Sequence, residues 1–170
     1  AGLGWQGRHS IVINKDIGSF YFIGILLLNL ELEYDRPFSE DYCGDCRICI
    51  DNCPTGAINN NRTIDSRKCI SNLTIENRGP VPGEFIPLLR GRAYGCDICQ
   101  EVCPWNKDLK SHNHPEITLS LDTSRLTALD WLAMDEENFN RIFSDTPVSR
   151  VKFDRFKANI EAAVKSLDDK

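Results

Sequence analysis

The residues with the clearest chemical potential in this 170-residue chain are its eight cysteines. Seven of them fall in two runs, "CGDCRICIDNCP" and "CDICQEVCP", and Cys69 stands alone between the runs. The first run has the spacing C-x2-C-x2-C-x3-C-P, in which the thiolates ligate [4Fe–4S] clusters. The second run keeps the last three cysteines of this pattern, because Ala93 stands where the first is expected. The spacing therefore predicts iron–sulfur chemistry, with one ligand to be supplied from elsewhere in the chain.

A count of the ligands accounts for the missing cysteine. In proteins with two such clusters, three cysteines of a run bind one cluster, and the cysteine before proline binds the other. The predicted ligands of the first cluster are Cys43, Cys46, Cys49 and Cys103. The predicted ligands of the second cluster are Cys53, Cys69, Cys96 and Cys99. Cys69 thus takes the place of the cysteine absent at Ala93, and every cysteine is used.

Two other uses of the cysteines compete with the clusters. Four disulfides would suit a secreted protein, but the close spacing leaves short loops that disulfides rarely close, and the first residues show no signal-peptide pattern. Two zinc sites are the competing metal interpretation, although zinc favours separated C-x2-C pairs. The histidines His9, His112 and His114 are predicted to be surface or hydrogen-bonding residues rather than ligands.

Composition and charge limit the classes of partner. A net charge of −5 argues against broad binding of polyanions, although the segment "PVSRVKFDRFK" at 147–157 is locally basic. The longest apolar run is "FYFIGILLL" at 20–28. It is too short to span a bilayer and is typical of a buried strand covered on both faces. We therefore expect a cytoplasmic protein with no membrane partner.

Segments around the cysteines predict an α+β fold in three parts. Residues 1–38 are rich in β-branched, aromatic and aliphatic residues, and residues 39–107 hold every cysteine. Within this cysteine module, 66–77 is predicted to be helical, and 84–95 to be a short helix or turn. The third part, residues 108–170, begins with a polar, irregular stretch and continues as a helical tail.

Apolar spacing in the tail predicts how its helices pack. "SRLTALDWLAM" could pack through Leu126, Leu129 and Leu132, and Asp135 could cap the N-terminus of "EENFNRIF". A stripe at helical spacing follows in the last segment, and we interpret it as core packing. Its members are Phe153, Phe156, Ile160, Val164 and Leu167.

Several segments resemble the epoxyqueuosine reductase family in their order and spacing. They are "AGLGWQGRHSIVINKDIGSFYFIGILLLN", the first cysteine run, "IDSRKCISNLTIENRG" and "RAYGCDICQEVCPWN". The tail "FSDTPVSRVKFDRFKANI" is similar to the end of that family. The cysteine pattern is shared with ferredoxins, so the discriminating pieces are "GLGWxG", "GSFYFIG" and "CISxLTIE".

The resemblance implies an oxidoreductase that converts epoxyqueuosine to queuosine at the tRNA wobble position. Electrons would pass from an unidentified donor through two [4Fe–4S] clusters to cobalamin. A nitroreductase-like α/β domain would hold the cobalamin, with the ferredoxin-like module capping it and residues 1–38 forming a fragment of that domain. The cluster that includes Cys69 would be the one nearer the cobalamin, and the protein is expected to be a monomer.

The resemblance also implies roles for individual residues. Ser71, Cys96 and Asp97 match positions close to the corrin, and Asn14 and Gly24 lie in the segment that lines the cobalamin pocket. For Ser71, a plain helix-surface hydroxyl is the competing interpretation. Contact with tRNA is expected first from Arg78 and then from Arg90, Arg92 and the basic group at 150–157, although each could be a solvated surface charge.

One part of the family pattern has no counterpart in this sequence. The proton-donating aspartate of the family is expected upstream of Ala1, and neither Asp16 nor Asp35 matches it. We therefore expect a C-terminal portion that binds clusters but reduces little or no epoxyqueuosine alone. Two alternatives stay open: a stand-alone ferredoxin-type electron carrier, and a dehalogenase-like corrinoid reductase that acts on a small molecule.

Overall fold

The computed structural model describes residues 1–109 and 123–168. These residues fall into two compact units: residues 1–65 with 97–109, and residues 66–96 with 123–168. His112, His114 and most of the stretch predicted to be irregular at 108–119 lie outside the described residues. Together the units form a helix-rich fold with one small sheet, as the α+β prediction requires.

The first unit begins with a short antiparallel hairpin. Strand β1 (Trp5–Gln6) pairs with strand β2 (Val12–Ile13), with Trp5 opposite Ile13. Both of these side chains are buried, because alternate residues of a strand face the same side. The predicted strand in "HSIVIN" is therefore confirmed, although it is two residues long. The hairpin brings the segment between its strands, which includes His9, into the first unit.

The prediction of a buried strand at 20–28 is wrong. This run has no regular secondary structure, and Phe22 and Leu27 are 90% and 94% exposed. A strand persists where a neighbouring backbone accepts its hydrogen bonds. Across 1–109 and 123–168, no segment pairs with this run. Apolar composition alone indicated burial, but the described fold provides no partner strand that would produce it.

A tight turn anchors the end of the hairpin to the segment after Cys103. Asn14 and Gly18 exchange backbone hydrogen bonds of 2.8 and 3.0 Å. Gly18 has a φ of +65°, and a Cβ there would lie 2.2 Å from Oδ1 of Asn106. The next residue, Ser19, donates its backbone N–H to the same Asn106 oxygen at 2.8 Å. Glycine is required here by both the left-handed backbone and the close approach.

The cysteine runs form short helical turns rather than long helices. Helix α1 (Ile48–Asp51) includes Cys49, and helix α2 (Ile98–Glu101) includes Cys99. The two helices contact each other within the first unit. A 3-10 turn at Pro104–Asn106 follows Cys103, which donates its N–H to the carbonyl of Gln100 at 3.1 Å. These short turns reverse the chain within each cysteine run, so that the thiols of a run can face the same region of the first unit.

The second unit begins with the segment that carries Cys69. A π-helical turn covers Asn72–Glu76, and a 3-10 helix covers Gly83–Leu88. The predictions of helical structure at 66–77 and 84–95 are therefore confirmed, with shorter elements than predicted. Around these helices the chain packs through three buried residues: Ile70 before the first, Val81 between them and Leu89 after the second.

Three α-helices complete the second unit: α3 (Ala128–Ala133), α4 (Glu136–Phe143) and α5 (Phe153–Asp168). Short 3-10 turns lie at Thr123–Arg125 and Pro147–Arg150. Asp135 caps α4 as predicted, because its carboxylate accepts the N–H of Asn138 at 2.8 Å. None of the helices in the two described ranges is long and apolar enough to cross a membrane.

The core of the second unit confirms most of the predicted tail stripe. Its buried members are Met134, Phe139, Ile142, Phe143, Val151, Phe156 and Ile160, with Phe153 and Val164 packed against them. Leu167 is 47% exposed and Leu129 is 77% exposed, so these two predictions are wrong. Leu126 and Leu132 pack against this core as predicted, although Leu126 lies before the start of α3.

Candidate iron–sulfur centre

A cavity of about 240 Å³ in the first unit is lined by the four cysteines predicted to bind the first cluster. They are Cys43, Cys46, Cys49 and Cys103. Cys49 and Cys103 are buried, while Cys46 is exposed at the rim. The remaining walls include Arg8, His9, Ile13, Tyr42 and Trp105. Thiols separated by up to 60 positions in the sequence thus face one enclosed space.

Zinc is the competing metal for the cysteines that line the cavity. In the described part of the chain, no three Cys, His, Asp or Glu side chains are grouped closely enough to hold a single metal ion. A tetrahedral zinc site needs its donors at about 2.3 Å from one ion. A cluster instead offers each cysteine a separate iron, so its ligands stand further apart. The spacing C-x2-C-x2-C-x3-C-P is what favours a cluster over zinc.

An aromatic group packs beside Cys43. Trp5 contacts Phe38, Tyr42 and Trp105, with ring centroids 5.0 to 5.7 Å apart. The indole Nε1–H of Trp5 donates to Sγ of Cys43 at 3.4 Å. The aromatic group excludes water from this side of the cavity, and the indole fixes the orientation of the thiol.

A network of polar contacts holds the loop that carries Cys43. One oxygen of Asp41 accepts the backbone N–H of Cys43 at 3.0 Å, and its other oxygen accepts from the guanidinium of Arg62. Arg62 also donates to the carbonyl of Gln6 in β1. The hairpin and the first cysteine loop are therefore tied through one arginine. This contact positions Cys43 at the mouth of the cavity.

Burial and crowding shift the titration of the enclosed thiols. Burial raises the pKa of Cys49, and the charges of Cys103 and Cys43 raise it further. Burial likewise raises the pKa of Cys103, with Cys43 and Cys46 adding to the shift. The thiolate is the form that binds metal. In the absence of iron, Cys49 and Cys103 therefore keep their protons at neutral pH, and iron binding must release them.

Two buried N–H groups at the cavity lack a partner among the described residues. They are Nε of Arg8 and Nε2 of His9, and both side chains line the cavity. Buried donors normally have an acceptor. An iron–sulfur cluster carries bridging sulfides as well as cysteine sulfurs, all of which accept hydrogen bonds. The residues present therefore fit the cluster in both their thiols and their donors.

The other four cysteines are divided between the units. Cys53 and Cys99 belong to the first unit, and Cys69 and Cys96 belong to the second. Sγ of Cys53 accepts the backbone N–H of Ala57 at 3.3 Å. All four are partly buried. Their grouping as ligands of a second cluster stays a prediction.

A buried threonine organises the surroundings of Cys96 in the second unit. Oγ1 of Thr74 donates to the carbonyl of Ile70 at 2.8 Å and accepts the N–H of Gly95 at 3.0 Å. Nδ2 of Asn159 in α5 donates to the carbonyl of Thr74 at 2.8 Å. One residue of "CISNLTIE" therefore joins the segment after Cys69, the residue before Cys96 and the last helix.

The residues predicted to contact cobalamin have varied environments. The Asn14 side chain closes its own turn, accepting N–H bonds from Asp16 and Ile17 and donating to Leu3. Around Gly24, no atom lies within 4 Å of where a Cβ would be. Ser71 is partly buried, and the exposed carboxylate of Asp97 accepts from Gln100 at 2.6 Å. Nothing in these contacts tests the cobalamin prediction.

Among the basic residues predicted to contact tRNA, Arg78 is exposed. Arg150 lies 2.7 Å from Glu76 in an ion pair. Lys157 donates to the carbonyls of Leu132 and Met134 at the C-terminal end of α3. Two of the four basic side chains at 150–157 are thus engaged within the second unit. Arg78 and Arg90 are both exposed, and their contact with tRNA stays a prediction.

Sequence reasoning missed the contribution of Trp5, Arg8 and His9 to the first site. These residues lie in "GLGWQGRHS", which indicated the family but was assigned no role beside the cysteines. His9 is 1% exposed, so its assignment as a hydrogen-bonding residue fits and a surface position is excluded. The signal available in the sequence was the grouping of Trp, Arg and His within five residues.

Comparison with known proteins agrees with this site. Residues 42–106 match the protein-family model described as a 4Fe-4S double cluster binding domain. The chain is 42% identical to the epoxyqueuosine reductase of Cyclobacterium marinum over 160 residues, which cover 94% of this chain and 51% of that protein. The chain is related to the epoxyqueuosine reductases. The resemblance seen in the sequence is confirmed, and iron–sulfur clusters are supported as cofactors.

Solved structures of epoxyqueuosine reductases have the same fold over this chain. The Streptococcus thermophilus enzyme matches with a TM-score of 0.80 and 33% identity, covering 100% of this chain and 44% of that one. An epoxyqueuosine reductase crystallised with an epoxyqueuosine-modified tRNA-Tyr stem loop matches with a TM-score of 0.79 and 32% identity, covering 98% and 43%. The chain spans about half the length of the curated relatives it matches.

Proposed function

We propose that this chain forms the electron-transferring part of an epoxyqueuosine reductase, which reduces epoxyqueuosine to queuosine at the wobble position of tRNA. The observation that carries the proposal is the cavity lined by Cys43, Cys46, Cys49 and Cys103 inside a double-cluster domain. Identity of about 40% to epoxyqueuosine reductases along nearly the whole chain supports it. A stand-alone electron carrier is not favoured by these relatives.

Two [4Fe–4S] clusters, when bound, supply one-electron transfer, and the protein supplies thiolates and a screened environment. The four cavity cysteines hold the first cluster, with Trp5 orienting Cys43. The second cluster is held by the set that contains Cys69. Thr74 positions the backbone at Gly95, next to Cys96, through its hydrogen bond of 3.0 Å.

The proposal includes cobalamin as the group that reacts with the substrate. Ser71, Cys96, Asp97, Asn14 and Gly24 are the residues proposed to lie near it, within or beside a nitroreductase-like domain. Their support is the position they occupy in the family pattern. The proposed role of Asp97 and Ser71 is to orient the cofactor, since both carry short polar side chains next to cluster cysteines.

The proposed substrate is a tRNA anticodon that carries epoxyqueuosine. A related enzyme has been crystallised with such a stem loop. In this chain Arg78 is the proposed phosphate contact, because its guanidinium is exposed immediately after the π-helical turn. Phosphate contacts position a nucleic acid without reading its sequence. Arg78 would therefore contribute affinity more than selectivity.

Anaerobic reconstitution tests the proposal in three stages. The first stage measures iron, sulfide and the absorption and EPR spectra of the chain, with two clusters expected. The second adds cob(II)alamin and follows its spectrum for binding. The third measures affinity for an epoxyqueuosine stem loop and analyses a digest of the RNA for queuosine. A chain that assembles clusters but binds neither corrin nor RNA would be an electron carrier. A chain that binds corrin but not RNA would be a small-molecule reductase.

A matched pair of variants isolates the RNA contact. Arg78→Ala should weaken binding of the stem loop. The slope of the logarithm of the binding constant against the logarithm of the salt concentration should fall by about one. Arg141→Ala removes another exposed arginine, in α4, and should leave binding unchanged. Equal effects of the two substitutions would assign the RNA contact to general charge and remove Arg78 from the proposed interface.

A further inference from the structure

His9 is a buried polar residue at the first site whose chemistry the cysteine pattern leaves unexplained. It is 1% exposed, and its ring lines the cavity with the four cysteines. Nδ1 accepts the backbone N–H of Ile11 at 3.2 Å. Nε2 is buried and has no hydrogen-bond partner within the described residues.

The hydrogen bond from Ile11 determines the tautomer of the ring. A nitrogen that accepts a hydrogen bond carries no proton, so the neutral imidazole keeps its proton on Nε2. The free nitrogen is therefore an N–H donor in a buried position, where an acceptor is needed.

Among the side chains that line the cavity, the hydrogen-bond acceptors are the four cysteine sulfurs and the hydroxyl of Tyr42. The neighbouring side chain of Arg8 is itself a donor, and its Nη2 already donates to the carbonyl of Gly44 at 2.5 Å. Several other lining residues are apolar: Ile13, Ile48 and Pro104. Sulfur atoms are the abundant acceptors of this site, on the cysteines and on the cluster they would hold.

We propose that His9 donates its Nε2–H to a sulfur atom of the first cluster or of its cysteines, and so raises the reduction potential of that cluster. The inference rests on the proposed function, since it requires the cluster to be present. One-electron reduction adds negative charge to the cluster. A hydrogen-bond donor stabilises this added charge, and hydrogen bonds to the sulfurs are an established determinant of cluster potential. His9 is thus a positioning and tuning residue rather than a ligand.

The first experiment needs no substitution. The reconstituted chain is prepared with ¹⁵N-labelled histidine and reduced, and pulsed EPR measures the hyperfine coupling between the cluster spin and nitrogen. A coupling from one histidine is expected. It should persist in a His112→Ala, His114→Ala double variant, which would assign it to His9. A reduced cluster with no histidine coupling would overturn the inference.

The second experiment measures the consequence for electron transfer. His9→Phe removes the donor, whereas His9→Gln replaces it with an amide N–H of similar reach. An EPR-monitored redox titration should show one of the two cluster potentials lowered in His9→Phe. We expect a change of about tenfold in the ratio of reduced to oxidised cluster at a given potential, or about 59 mV for one electron. The His9→Gln variant should recover most of the shift.

The outcomes separate this inference from the proposed function. An unmodified chain that assembles no cluster would overturn both. Two assembled clusters, with unchanged potentials in His9→Phe, would overturn the tuning role alone. If His9→Phe does not fold, the decision rests on the labelled-histidine measurement and on His9→Gln, in which the coupling to imidazole nitrogen must disappear while the cluster remains.

Discussion

The indole N–H of Trp5 donates to Sγ of Cys43 across 3.4 Å, joining the first strand to the first predicted cluster ligand. Both residues belong to the first unit, and Trp5 is 4% exposed. This hydrogen bond withdraws charge from a ligand sulfur. The same indole packs against Phe38, Tyr42 and Trp105. Trp5 therefore joins two functions, since it shields the site and polarises one of its ligands.

Trp5→Phe separates these two functions, because phenylalanine keeps an aromatic ring and loses the N–H. Both clusters should still assemble, and the potential of the first cluster should fall, as an EPR-monitored redox titration would show. Trp105→Phe is the matched control, since Trp105 lies in the same aromatic group. A shift of equal size in both variants would attribute the effect to packing.

Cys69→Ala should remove one cluster and spare the other. Iron content is expected to fall from about eight to about four atoms per chain, because each [4Fe–4S] cluster needs its four thiolates. Ser71→Ala, two residues away, should retain the full iron content. The EPR signal that remains in Cys69→Ala should be that of the first cluster, whose predicted ligands line the cavity. Loss of both clusters would contradict the proposed division of the ligands.

Thr74→Val should destabilise the second unit, because it leaves the N–H of Gly95 without its acceptor in a partly buried position. A lost hydrogen bond of this kind costs about 1–3 kcal/mol. Urea denaturation would measure the change in the free energy of unfolding. Thr74→Ser keeps the hydroxyl and should lose less than half as much. Equal losses would mean that the methyl group of Thr74, and not its hydroxyl, stabilises the unit.

Gly18→Ala should destabilise the first unit by about 2 kcal/mol or more, since alanine is strained at positive φ and its Cβ would collide with Asn106. Thermal and urea unfolding would measure the loss. Gly24→Ala is the control, because no atom lies within 4 Å of its added Cβ. If Gly18→Ala left the stability of the first unit unchanged, the turn at Asn14 could adjust without losing its contact with the segment after Cys103.

The raised pKa values of Cys49 and Cys103 predict opposite effects of pH on the iron-free and iron-loaded chain. A pKa that folding raises contributes stability below the unfolded pKa of about 8.5 and loses it as the pH rises. The reduced, iron-free fold should therefore weaken between about pH 8.5 and the raised pKa values. Iron incorporation should instead improve, because thiolates bind metal. Melting curves and iron analysis from pH 7 to about 10 would reveal this divergence, and parallel trends would contradict it.

Short-range patterns in the sequence predicted the elements that depend on neighbouring residues. The cysteine spacing indicated the clusters, Asp135 was identified as the cap of α4, and Phe156 with Ile160 marked the buried face of α5. Each of these features lies within one or two turns of chain. Capping and helical periodicity act over such distances, so the sequence is sufficient to detect them.

Tertiary structure decided the features that join distant residues. The contact between Trp5 and Cys43 spans 38 positions, and the one between Thr74 and Asn159 spans 85. The path of the chain determines such pairs, and no local window contains that path. The run at 20–28 shows the same limit in reverse, since its apolar residues predicted a buried strand and the described fold leaves them exposed. By itself the sequence predicted the cluster ligands and the resemblance to the epoxyqueuosine reductases, while only the folded chain placed Trp5, Arg8 and His9 around the first site.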